Sequence, residues 1–78
     1  MSKKHIEDWV RTSLETYFKD LRGSEPDRMH DMMVKIMEKP LLEVVMHHTD
    51  QNQSKAAQWL WLNRNTLRKK LLEHKLAK

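Results

Sequence analysis

Residues 52–71, NQSKAAQWLWLNRNTLRKKL, gather the side chains that could do chemistry, and that chemistry is electrostatic. Asn63, Arg64, Thr66, Arg68, Lys69 and Lys70 crowd onto one short stretch, with Leu67 and Leu71 at helical spacing to hold it in place. Ala56 and Ala57 stand where two helices must approach closely, and Leu60 and Leu62 flank a turn. A helix, a short turn and a second, cationic helix form the pattern of a helix-turn-helix whose second helix enters a DNA major groove. The charge distribution agrees. Residues 1–50 hold 8 Lys and Arg against 10 Asp and Glu, a net of −2, whereas residues 51–78 hold 7 against Glu73 alone, a net of +6. An electropositive half that coincides with a helix-turn-helix pattern reads as a nucleic-acid surface.

Other chemistry finds little support. The 78 residues include no cysteine, so disulfides, thiolate metal sites and cysteine nucleophiles are excluded. A glycine-rich phosphate loop and an acid pair in an evident pocket are also missing, so neither an enzyme nor a small-molecule substrate is expected. His47 and His48 are adjacent and point to different faces of a helix, and His74 is expected against the terminal carbonyls of the last helix. No metal or other cofactor is therefore expected. An RNA reader would display stacking aromatics beside its cations. Only Trp59 and Trp61 are aromatic in the basic half, and Trp59 is expected in the core, facing the second and fourth helices. No apolar run is long enough to span a bilayer and no signal-peptide pattern is present, so the expectation is a cytoplasmic protein that makes no membrane contact.

The elements that position these groups are helices. Ile6, Trp9, Val10, Ser13, Leu14, Tyr17, Phe18 and Leu21 recur at spacings of three and four, which predicts an amphipathic helix over about 4–21. Gly23 and Pro26 mark a loop, and Ser24-Glu25-Pro26-Asp27 has the form of a cap for the next helix. That helix carries Met29, Met32, Met33, Ile36, Met37, Leu41, Val44 and Val45, and its period continues across Pro40. One long kinked helix over about 27–48 is predicted. A third helix over about 53–60, capped by Asn52 or Ser54, and a fourth over about 64–74, capped by Asn63, complete an all-α chain of four helices. Residues 1–78 form a single domain, divided into dimerisation helices (1–49) and a DNA-binding unit (50–78). A chain this short buries only about 60% of its unfolded surface. Its first two helices are more apolar than it can cover, so a two-fold homodimer through them is expected.

The stretch PLLEVVMHHTDQNQSKAAQWLWLNRNTLRKKL, residues 40–71, resembles the Fis family (factor for inversion stimulation) of small bacterial nucleoid proteins, and YFKDLRG, residues 17–23, fits as well. The helix-turn-helix is also similar to the one that closes NtrC-type activators, which carry it after an ATPase domain. The Fis resemblance implies an intertwined homodimer bound to double-stranded DNA. Its two recognition helices stand closer together than one turn of the duplex, so the DNA must bend. It also implies a regulator of transcription located in the nucleoid, with weak sequence specificity. On this resemblance Asn63 and Arg64 reach base edges, with Arg64 paired to guanine, and Asn52, Ser54, Thr66, Arg68 and Lys69 hold phosphates. Lys55 stands where the family has a basic residue.

Three departures accompany the resemblance. Trp61 replaces the glycine of the turn, at a cost of roughly 1 kcal/mol or more if the backbone stays left-handed. Leu72 and Glu73 occupy positions that are basic in better-known members. The N-terminal arm that touches DNA invertases has no counterpart, so DNA bending without stimulation of a recombinase is expected. The competing reading is a helical protein-interaction module, for which DNA binding would be weak and insensitive to salt.

Overall fold

The structure, a computed structural model, describes residues 2–77. It contains four helices, α1 (Lys3–Leu21), α2 (Met29–His48), α3 (Gln53–Leu60) and α4 (Arg64–Glu73), and no strand among the described residues.

α1 begins where the Ser2 hydroxyl accepts from the His5 N–H at 3.3 Å. It ends at Arg22, which is left-handed. The Ser24 cap does not form. Residues 24–27 stay outside the helix, and α2 starts at Met29 after a left-handed Arg28 that makes no side-chain cap bond. The reason is local. Ser24 could cap only if Glu25 were helical, and Pro26 pushes the residue before it out of the α region. Pro40 does lie inside α2, as expected from the unbroken apolar period.

The core is small and lies at one end of the molecule. Leu42 and Met46 of α2, Ala56 and Ala57 of α3, and Leu67 and Leu71 of α4 are buried together. The α2 stripe that meets this core runs Leu42, Val45, Met46 and Thr49. The Thr49 hydroxyl is buried and donates to the Val45 carbonyl at 2.9 Å, which meets its hydrogen-bonding need within the helix. Ala56 is fully buried, and its small side chain lets α3 approach its neighbours.

The other half of the molecule is uncovered. α1 buries none of its residues. Ile6, Trp9 and Phe18 are exposed, and so is a second stripe on α2 formed by Ile36, Met37, Leu41 and Val44. The radius of gyration is 15.1 Å, against about 11.5 Å for a compact domain of this length.

α2, α3 and α4 end alike. After α3, the Leu62 N–H donates to the Ala57 carbonyl at 3.0 Å and the Trp61 N–H to the Gln58 carbonyl at 3.2 Å. This pair of bonds is the Schellman closure, which normally puts glycine in the left-handed position. Here that position holds Trp61, with φ 57°. The same bonds follow α2, where Asp50 is left-handed, and α4, where Lys75 is left-handed. Leu76 then donates its N–H to the Leu71 carbonyl at 2.8 Å and packs against the core.

Candidate nucleic-acid interface

Two asparagines set the start of each helix in the basic half. The Asn52 Oδ1 accepts from the Lys55 N–H at 3.1 Å and starts α3. The Asn63 Oδ1 accepts from the Asn65 N–H at 2.8 Å and starts α4. Each bond satisfies one of the donors that a helix leaves free in its first turn. Each also orients the carboxamide of that asparagine toward the backbone of its own helix.

All eight residues expected at a DNA surface are exposed: Asn52, Ser54, Lys55, Asn63, Arg64, Thr66, Arg68 and Lys69. Three of them, Asn63, Arg64 and Arg68, line one open cleft together with Gln53 and Asn65. Gln53 and Asn65 escaped the sequence reading. Both are uncharged, and their spacing relative to Arg64 has meaning only once α3 and α4 are placed side by side. Lys55 lies elsewhere on α3, its ammonium 5.7 Å from the centroid of the Trp59 ring. Trp59 is half exposed, contrary to its expected place in the core. On an eight-residue helix whose inner face is Ala56, Ala57 and Leu60, position 59 falls on the flank.

The cations divide into two groups. Among the described residues, Lys55, Arg64, Arg68 and Lys69 have no carboxylate within ion-pair distance, and their charge faces solvent. Lys70 is different. Its ammonium donates to Glu38 Oε2 at 2.7 Å, and His74 Nε2 donates to Glu38 Oε1 at 2.9 Å. The Glu38 side chain is only 13% exposed. The Lys70 hydrogen bond holds the Glu38 carboxyl below its usual range, with help from His74 and against the opposing effect of burial. His74 therefore serves α2 and not the terminal carbonyls of its own helix as expected. Together these bonds tie α4 to α2 two residues before Pro40.

The arrangement presents a first turn of α4 with free N–H groups and the positive end of the helix dipole. Two guanidiniums flank it and one ammonium stands a turn further on. Anionic oxygens are the ligands such a surface takes.

Compared with known families, residues 34–74, just over half of the chain, match the one described as "Bacterial regulatory protein, Fis family". The chain belongs to the Fis family.

The matched residues span α2 from Val34 onward and the whole of α3 and α4, which hold the core and the cationic face. Similarity extends over nearly the entire chain in individual relatives. A Fis-like DNA-binding protein of Ralstonia nicotianae is 51% identical over 76 residues, covering 97% of this chain and 99% of that protein. A Fis-like DNA-binding protein of Neisseria meningitidis is 55% identical over 71 residues, covering 91% and 90%. The DNA-binding protein Fis of Aliivibrio fischeri is 39% identical over 74 residues, covering 95% of this chain and 76% of that protein. No helix among the described residues of this Fis-family chain is long and apolar enough to cross a membrane.

Proposed function

We propose that this protein is a homodimeric, DNA-binding and DNA-bending regulator of the bacterial nucleoid, in which each protomer lays the first turn of α4 in a major groove. The observation that carries this reading is the cationic face. Lys55, Arg64, Arg68 and Lys69 stand exposed, and unpaired among the described residues, on a helix-turn-helix held by the fully buried Leu67 and Leu71. Residues 50–78 then bind the duplex, and residues 1–49 build the dimer. Arg64 pairs with the two acceptors of a guanine. Asn52, Ser54, Thr66, Arg68 and Lys69 neutralise or hydrogen-bond phosphates, and so add affinity without sequence information. With so few groups at base edges in each protomer, specificity is modest and duplex deformability carries part of it. Membership of the Fis family and the names of the relatives support the same reading.

Circularly permuted fragments with one binding site test it. A bend slows migration most when the site lies mid-fragment, so a position-dependent shift with the pure protein is expected. Position-independent mobility removes bending from the proposal, and the absence of any salt-sensitive shift removes DNA binding. The protein-interaction reading has one observation in its favour, the outward Trp59 and Trp61 on and after α3. It predicts weak, salt-insensitive DNA affinity.

A further inference from the structure

α4 has a well-defined outward line. Leu67 and Leu71 mark the direction of the core, and successive residues turn by about 100°. Lys70 falls on the flank that meets α2 through Glu38, and Arg68 falls on the opposite flank. Lys69 lies about 180° from the core line and Asn65 about 140° from it, and only Asn65 of these two is in the first turn. A recognition helix contacts base edges with its N-terminal residues, so the outward side chain of that first turn is the one driven deepest into the groove.

The two asparagines at this end differ in what they can still bind. The Asn63 Oδ1 is engaged as the cap, accepting from the Asn65 N–H at 2.8 Å. This bond holds the Asn63 carboxamide against the backbone of its own helix. Asn65 uses its backbone N–H in that bond, and among the described residues its carboxamide makes no hydrogen bond to the protein. It is exposed and lines the cleft with Arg64 and Arg68. Adenine presents an N6 donor beside an N7 acceptor in the major groove, and a carboxamide matches the pair with its oxygen and its NH2 together, which suits a side chain that is not already oriented by a bond to the protein.

We propose that Asn65 is a specificity-determining residue that reads an adenine N6/N7 edge next to the guanine taken by Arg64. The proposal rests on the reading of α4 as the groove helix. Asn63, whose carboxamide is oriented by the cap bond, is then a helix cap whose NH2 donates to a base or phosphate acceptor.

The test is a base-pair substitution scan of a selected binding site with the full chain, Asn65→Ala and Asn65→Gln, alongside a random duplex. The native chain should lose on the order of tenfold in affinity when the adenine is replaced. In Asn65→Ala that discrimination should fall to within about twofold, with affinity for random duplex and its salt slope unchanged. Asn65→Gln should retain the A·T preference, because glutamine offers the same donor and acceptor. A full preference profile in Asn65→Ala, or a uniform loss on all sequences, overturns the assignment and leaves DNA binding in place. Loss of the A·T preference in both variants alike also overturns it, because the carboxamide would then not be what is read. Failure of the native chain to bind any duplex in a salt-dependent way is a separate result, and it removes the underlying reading as well.

Discussion

Arg64 and Lys69 stand five residues apart on α4, yet they are expected to behave differently. Arg64 is the first residue of the helix and lines the cleft with Asn65 and Arg68. Its loss in Arg64→Ala should weaken binding to a good site by about 1–3 kcal/mol and flatten the sequence preference. Lys69 lies outside the cleft, and Lys69→Ala should weaken all sequences alike. Parallel titrations of both variants against optimal and random duplexes separate the two roles, and equal effects on both duplexes contradict them. Trp61 poses a different question. The indole is 94% exposed and the backbone is left-handed. Trp61→Gly should relieve roughly 1 kcal/mol of strain, offset by about 0.4–1 kcal/mol from the freer unfolded chain. Thermal melting should therefore show no loss, or a small gain. A loss of about 3–5 kcal/mol, as for truncation of a packed aromatic, would contradict the exposed position.

At the scale of elements, α2 and α4 are joined by a carboxylate. The Glu38 carboxyl is held below its usual range chiefly by the Lys70 hydrogen bond, so the unfolded chain binds its proton more readily than the folded one. Stability from this group is then present above the ordinary carboxylate value of about 4.3 and is lost as pH falls through the lowered folded value. Glu38→Gln should cost about 1–3 kcal/mol near pH 7, and the gap to the native chain should close as pH falls below about 4. A gap that persists unchanged in acid would show that the charge is not what matters. Neither Glu38 nor its partners announced this tie in the sequence, because the contact spans 32 and 36 positions. What was legible was local. Asn52 and Asn63 could be read as caps because an N-cap acts within three residues, and the unbroken period on either side of Pro40 marked a continuous helix. Ser24 failed because Pro26 constrains the residue before it. Trp59 failed because the inner face of the eight-residue α3 is taken by Ala56, Ala57 and Leu60, which leaves position 59 on the flank.

The whole molecule exposes more surface than a protein of its mass should. Its accessible area is 6908 Å², against about 5,000 Å² for a compact monomer. An excess of roughly 1,900 Å² on each protomer matches what obligate dimers bury. Much of its apolar part lies on α1 and the outer stripe of α2, in Ile6, Trp9, Phe18, Ile36, Met37, Leu41 and Val44. Sedimentation equilibrium at low micromolar concentration should give twice the chain mass, and the melting temperature should rise with protein concentration. A folded monomer with native helicity and a concentration-independent melt contradicts the dimer. The apolar excess was visible in the sequence, whereas the face that carries it became clear only once α3 and α4 covered the Leu42–Met46 stripe.

The central claim is that the cationic face of α3 and α4 binds the DNA backbone, and the salt dependence of affinity for a random duplex measures it directly. The logarithm of the association constant should fall linearly with the logarithm of salt concentration, with a slope of about −0.9 for each phosphate neutralised. In Lys69→Ala the slope should be shallower by about one unit for each bound recognition helix. An affinity that does not change with salt, or a slope that Lys69→Ala leaves untouched, would contradict the assignment of this face to DNA.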